Sequence, residues 1–232
     1  MTTITSIEWT ERTWNPVTGC TKVSQGCKHC YAERLAKRFW GKRAFTEVME
    51  HPGRLDDPRK IRRPTTFFVN SMSDVFHPDV SESFVRKIFD VMVDCPQHTF
   101  QVLTKRSERL RKLGAQLPWR PNIWMGVSVE SEDVLERISD LRTVPSFVRF
   151  LSLEPLIGPL PNLDLNGIHW VILGGESGPG ARPLQRGWAR DIRRQCRQAG
   201  VPFFFKQWGG VFKKQSGRLL DGRAYNELPL TA

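Results

Sequence analysis

The sequence predicts an α/β fold built from βαβ units, with about six or seven parallel strands. Three observations carry this. Short runs rich in β-branched and aromatic residues recur from residue 65 onward. Segments of helical periodicity lie between them. The runs are also near-continuously apolar, as strands buried on both faces are. This pattern allows a partial or complete (β/α) barrel, or an open doubly wound sheet.

The elements follow in order. "ERTWNP" (11–16) reads as a first strand, followed by a cysteine-bearing loop and the helix "YAERLAKRF" (31–39). Residues 41–64 are irregular and rich in charge and proline, a connection or lid. "TTFFVN" (65–70) is the second strand. The helix "SESFVRKIFDVMVD" (81–94) opens on Ser81 as its cap and places Phe84, Ile88, Val91 and Met92 on one face. The third strand, "TFQVLT" (99–104), precedes the helix "SERLRKLGAQL" (107–117). The fourth, "NIWMGVSV" (122–129), precedes "SEDVLERISDL" (131–141). "FVRFLSL" (147–153) and "HWVILGG" (169–175) are the fifth and sixth strands. The helix "GWARDIRRQCRQAG" (187–200) stops on Gly200, and "PFFFKQW" (202–208) is the seventh strand. The tail, 209–232, reads as a small hairpin or extension. The expected organisation is therefore a barrel over 1–208, its cysteine loop at 16–31, with a C-terminal extension packed on it.

Composition narrows the class. A chain of 232 residues with 39% hydrophobic and 25% charged residues suits one globular domain. No apolar run reaches the length of a membrane span. The opening "MTTITSIEWTERTW" has no secretory pattern. Five cysteines, an odd number with three clustered, do not suit a disulfide framework. A reducing cytoplasm and no membrane partner are expected. The formal net charge of +11 attracts polyanions, so a nucleic acid or nucleotide is the expected partner.

In parallel α/β folds the chemistry sits beyond the C-terminal ends of the strands. The residues found there are Asn70, Ser71 and Asp74; Lys105 and Arg106; Ser128 and Glu130; Glu154; Gly174, Gly175 and Glu176; and Lys206, Gln207 and Trp208. Ser107, Ser131 and Ser177 also read as simple helix caps. Glu154 and Glu176 each follow an apolar strand beside proline or glycine, outside any helix, and are expected to face a site. "GGESGPG" lacks the Lys-Ser/Thr of a phosphate-binding P-loop.

The segment "GCTKVSQGCKHCY" (19–31) holds Cys20, Cys27 and Cys30. A closed structural zinc site needs four ligands. His29 adjoins Cys30 and is poorly placed to complete it, which leaves His51 or His77 at a distance. The zinc deaminases are excluded because their H-x-E is missing. A [4Fe–4S] cluster held by three thiolates leaves one iron open, as in radical S-adenosylmethionine (SAM) enzymes. Cys95 and Cys196 read as small buried residues.

"TWNPVTGCTKVSQGCKHCYAERLAKR", "FFVNSMSDVFHP", "FLSLEPLIGP", "WVILGGESGPGARP", "VPFFFKQWGG" and "LDGRAYNELP" together resemble the phage-type three-cysteine-motif proteins, a family of uncharacterised function placed among radical-SAM-like proteins. The resemblance covers essentially the whole chain. It implies a radical-SAM-type barrel with a [4Fe–4S] cluster on Cys20, Cys27 and Cys30, and SAM as cofactor. Two departures stand out. The cysteines are spaced C-x6-C-x2-C rather than C-x3-C-x2-C, and "GGE" follows the sixth strand rather than the second. Asn70, Ser71 and Asp74 then take the expected place after strand two. Ser128, Glu130 and Glu154 are candidates for the ribose and carboxylate of SAM, and Gly174, Gly175 and Glu176 complete the cofactor set. Lys105, Glu176 and Lys206 are the catalytic candidates. Lys105, Arg106, Lys206, Gln207 and Trp208 are expected to face the substrate. The expected function is reductive cleavage of SAM to start radical chemistry in nucleic-acid repair or modification, with a protein as electron donor. The alternative is a non-catalytic nucleic-acid-binding protein with a structural metal site.

Overall fold

The computed structural model describes residues 2–229, with the side chains of 213 and 214 left aside. The last three residues of the expected C-terminal extension lie outside the described residues. The elements are β1 (Thr2–Ile4), β2 (Arg12–Trp14), β3 (Val17–Thr18), α1 (Tyr31–Phe39), β4 (Met49–Glu50), β5 (Thr66–Val69), α2 (Glu82–Asp94), β6 (Thr99–Thr104), α3 (Ser107–Gly114), β7 (Ile123–Ser128), α4 (Glu136–Arg142), β8 (Val148–Leu153), β9 (Trp170–Gly174), α5 (Arg186–Ala199) and β10 (Phe203–Gln207).

The main sheet has the order β1-β2-β5-β6-β7-β8-β9-β10. Every pair from β2 to β10 is parallel, and β1 joins β2 antiparallel. Strand order follows chain order without reversal, so the doubly wound alternative does not hold. The fold is that of a partial barrel, with β1 and β10 at the two ends of the hydrogen-bonded order. A separate ribbon pairs β3 with β4.

Buried side chains fall into two sets that alternate along the strands. Phe67, Val69, Met125, Val127, Leu151, Leu153, Val171, Leu173, Phe203 and Phe205 pack outward beneath the helices. Phe68, Trp124, Phe150, Trp170, Ile172 and Phe204 point inward, joined by Trp9 from the first loop. This period of two follows from the pleat of a strand. It also explains why the runs read as continuously apolar. Trp9 touches Phe68 at 4.8 Å and Trp170 at 6.2 Å between ring centroids, so one side chain bridges strands β5 and β9 across the curl of the sheet. Gly126 makes room for this floor, since a Cβ there would lie 2.4 Å from the Phe150 ring.

Some expectations about local structure change. Ser81 caps α2 by accepting from Phe84 N at 3.2 Å. Ser107 does not cap α3. It is buried and donates to Asp140 Oδ2 at 2.7 Å, tying α3 to α4. Ser131 precedes a 3₁₀ turn, Glu132–Val134, and α4 starts only after it. Ser177 likewise serves another purpose, accepting from Gln207 Nε2 at 2.7 Å. The connection from β8 to β9 contains no helix, in line with the sequence, which reads none between the fifth and sixth strands.

After β10 the chain turns back at Leu220–Arg223, with Asp221 and Gly222 at φ 51° and 77°. Two left-handed residues suit the tight hairpin turn, and "DG" supplies them cheaply. The returning segment bonds to β10 through Phe205 N to Tyr225 O (3.0 Å) and Glu227 N to Phe203 O (3.3 Å). It thereby covers an edge that would otherwise expose unpaired backbone groups.

Candidate functional site

Above the aromatic floor, the inward positions become polar where the strands end. Together with the cysteine loop they enclose a cavity of about 610 Å³. Cys20, Cys27 and Cys30 all line it. So do Asn70, Ser71, Asp74, Lys105, Arg106, Ser128, Glu154, Gly175, Glu176, Lys206 and Gln207. Three residues expected there do not line it, namely Glu130, Gly174 and Trp208.

Their positions have physical reasons. Glu130 is fully buried beneath the cysteine loop, where it accepts from Arg137 at 2.9 Å and from Ser24 Oγ. Gly174 leaves room for Glu154, whose carboxyl carbon would sit 3.3 Å from a Cβ there. Trp208 packs on Phe205 at 4.8 Å and donates to Leu219 O at 2.9 Å, so it anchors the C-terminal segment.

The cysteine loop is tied to several strand ends at once. Gly19 N donates to Met72 O at 3.0 Å, and Cys20 N to Phe45 O at 2.8 Å. Arg106 donates to Thr21 O (3.1 Å) and Thr21 Oγ1 (2.9 Å). Ser24 reaches Glu130. Arg182 donates to Gln25 O at 2.9 Å while clamped on Glu176. Gly26 can only be glycine without rearrangement, because a Cβ would lie 2.6 Å from Glu130 Oε1. Cys30 then stands at the N-cap position of α1.

The carboxylates divide by role. Asp74 accepts from Thr104 Oγ1 (2.7 Å), Phe76 N (2.9 Å) and Lys105 N (3.0 Å), so it is spent on fixing two loops. Burial pushes the Glu176 carboxyl up, but the hydrogen bonds and charge of Arg182 outweigh it and hold the group below the usual carboxylate range. Glu154 differs. It shares the cavity wall with Lys206, whose Nζ lies 2.7 and 2.9 Å from its two oxygens. Asn70 sits at φ 61° with its Oδ1 accepting from Val17 N, and its buried Nδ2 has no partner.

In "GGE", Gly175 serves backbone packing. A Cβ on Gly175 would meet Trp208 O at 2.0 Å, and Gly210 N donates to Glu176 O at 2.7 Å. The exit loops of β9 and β10 lie directly on each other there. Gly175 also lines the cavity.

Among the described residues, no three His, Cys, Asp or Glu side chains converge on a single metal-ion position. His51 and His77 do not complete a zinc site, since each ring nitrogen Nε2 bonds a threonine hydroxyl, Thr18 and Thr21 respectively, at 2.8 Å. Sequence reasoning missed Tyr31, Ser152 and Arg34 on the cavity wall, and the anchors Arg137 and Arg182. Tyr31 carried a signal, because it directly follows Cys30. The arginines carried none, being set among many others.

The model for DUF5131, described as a protein of unknown function, matches residues 4–229. The chain belongs to the DUF5131 family. A comparison with curated proteins returned no match. Among solved structures, this DUF5131 protein is similar to spore photoproduct lyase, a radical SAM enzyme. One such structure holds AdoMet and dinucleoside spore photoproduct, with a TM-score of 0.54 and 13% identity. A second, complexed with the dinucleoside spore photoproduct, gives 0.53 and 13%. Both matches cover 85% of the DUF5131 chain and 64% of the lyase chain. The likeness shows a shared fold, a mostly parallel α/β sheet. No helix among the described residues is long and apolar enough to cross a membrane.

Proposed function

We propose that this DUF5131 protein is a radical SAM-type iron–sulfur enzyme acting on a nucleic acid or nucleotide, in repair or modification. One observation carries the reading. Three cysteines from a single loop line one cavity at the C-terminal ends of the strands, in a fold shared with an AdoMet-binding lyase. The phage or prophage setting suggested by the sequence blocks belongs to the same reading, as do a cytoplasmic location and a protein electron donor.

The donor set fits a [4Fe–4S] cluster. All three cysteines are free thiols. A cubane offers three separate iron corners, so its thiolates need not meet at one point, unlike the ligands of a single ion. The Cys20 thiol is pushed up to about 12, first by burial and then by Asp74, against the pull of Arg106, with Cys27 and Cys30 adding to the rise. The Cys20 thiol therefore keeps its proton until a metal displaces it, so loading a cluster would release protons. When bound, the cluster supplies the electron that splits a carbon–sulfur bond of SAM.

The chain's own residues hold and shield the reactants. Asn70 Nδ2 offers an unused donor to a carboxylate or ribose oxygen. The Glu154–Lys206 pair presents both signs of charge to the cavity, suited to the amino and carboxylate groups of SAM. The apolar floor of Trp9, Phe68 and Leu103 keeps water from the base of the cavity. Arg106 and Lys105 stand at the wall where a phosphate would enter. The net charge of +11 supports a polyanionic substrate.

The test is anaerobic reconstitution with iron and sulfide, followed by SAM and dithionite. Deoxyadenosine should form, the reduced-cluster paramagnetic spectrum should change when SAM is added, and replacing any of Cys20, Cys27 or Cys30 with alanine should abolish iron retention. A loaded cluster that yields no deoxyadenosine and ignores SAM would refute the reading. Zinc in protein purified without oxygen would favour the non-catalytic alternative.

A further inference from the structure

Helix α1 leads away from Cys30 along the cavity mouth, and its outer face is unusual. Tyr31, Leu35 and Phe39 stand four residues apart, and all three are exposed, Phe39 to 67%. Residues at this spacing form one stripe on a helix. Tyr31, Leu35, Arg34 and Arg38 also line the cavity, with Val23 beside them. The stripe is therefore a lip, continuous with the interior, and not an isolated patch of surface.

The same stretch is strongly basic. Residues 22–43 contain seven Lys or Arg and one acid, Glu33, which gives 7 − 1 = +6 of the chain's +11. Glu33 is already engaged by Lys22 at 3.3 Å and Lys37 at 3.0 Å. Lys28, Arg38 and Lys42 have no acidic partner among the described residues. The guanidinium of Arg38 lies 5.2 Å from the centre of the Phe39 ring, a planar cation against a planar ring. The Tyr31 ring is held in place by its hydroxyl, which donates to Ser71 O at 2.7 Å.

We propose that this face of α1 is the docking surface for single-stranded nucleic acid, feeding one nucleotide into the cavity. The proposal rests on the nucleic-acid reading above and names the element that makes the contact. Exposed aromatic rings interleaved with unpaired cations match what single strands require, since bases stack on the rings and phosphates meet the cations. A paired base cannot reach an interior site, so the strand must present an unpaired one. Charge complementarity decides against an acid-free apolar partner. The rings sit among cations that a protein core would leave buried and unpaired.

The test measures anisotropy of a labelled single-stranded thymidine oligomer across a salt series. The wild-type protein is compared with Phe39→Ala, Leu35→Ala, Arg38→Gln and a control, Arg197→Gln on α5. Phe39→Ala should weaken binding at least about fivefold, as expected for loss of one stacked base. Arg38→Gln should weaken it and reduce the slope of log affinity against log salt by ~0.7, as for one lost phosphate contact. The control should match wild type. Circular dichroism and reconstituted iron content verify that each variant is folded with its cysteine loop intact. If the wild-type protein binds the oligomer and the α1 variants bind it equally well, the docking surface is refuted while the nucleic-acid reading stands. If the wild-type protein binds no oligomer in low salt, the docking surface falls, while deoxyadenosine formation with SAM decides the radical SAM reading separately. Binding to phosphatidylcholine–phosphatidylserine vesicles in place of the oligomer, lost in the same variants, would reassign the lip to a membrane surface and overturn the proposal.

Discussion

Replacing Arg137 with methionine tests the least expected part of the site. Arg137 is 4% exposed and donates from one nitrogen to Ser128 O at 2.8 Å and to Glu130 Oε2 at 2.9 Å. Glu130 has no exposure of its own, and its other oxygen is committed to Ser24 in the cysteine loop. Methionine keeps the volume but strands a buried carboxylate. Losing one partner of a buried pair costs about 3–5 kcal/mol. The fold should therefore lose about that much in urea unfolding at neutral pH, read as a lower midpoint with an unchanged slope. Adding Glu130→Gln to the same chain removes the stranded charge. The double variant should be more stable than the sum of the two single losses by roughly 0.5–3 kcal/mol, the range for residues in one network. A single-variant loss below about 1 kcal/mol, or strict additivity, would show that Glu130 finds water or another donor, and the account of the loop anchor would be wrong.

Three further outcomes are expected. Burial, with the charges of Arg54 and Arg43, pushes His51 down to about 4 from its ordinary 6.5. The unfolded chain therefore binds a proton first, so the stability His51 contributes is complete above pH 6.5 and is lost as the pH falls toward about 4. Unfolding free energy should decline across that window less steeply in His51→Gln, and equal slopes would disprove it. Gly126→Ala places a methyl against the Phe150 ring and should cost about 1–3 kcal/mol of stability by thermal unfolding, while unchanged stability would mean the floor can shift. Burial raises the Cys196 thiol to about 12, so iodoacetamide at mildly alkaline pH should spare it in the native protein and label it after unfolding. Rapid native labelling, read by mass spectrometry, would contradict that.

Much of this architecture was legible because strands in a parallel sheet announce themselves twice, by apolar continuity and by the polar residues after them. All seven expected strands are present, and α1 spans the residues read from its periodicity. What was not legible depends on long-range partners. Glu130 looked like a cavity-facing carboxylate because it follows a buried strand, yet it is buried on Arg137. Asp74 and Glu176 do line the cavity, but Thr104 and the Lys105 amide engage the first and Arg182 the second, partners that periodicity cannot assign. Glycine signals close approach but not what approaches, and the nearest group is the Glu154 side chain at Gly174 and the carbonyl of Trp208 at Gly175. β1 and the β3–β4 ribbon escaped because such short segments carry too few residues to set a period.

The tethers of the cysteine loop also bear on the order of assembly. Its partners lie far along the chain. Thr21 meets Arg106 across 85 positions, Ser24 meets Glu130 across 106, and Gln25 meets Arg182 across 157. Contacts so distant close late, after the entropy of the intervening chain has been lost to the sheet. A half-folded chain can hold Cys20 through Phe45, but the 21–27 part of the loop is set only once the later strands are in place. An iron–sulfur centre held here, as proposed, would then need the chain folded as far as Arg182 before its three thiols are set, and iron uptake would report on that much of the fold.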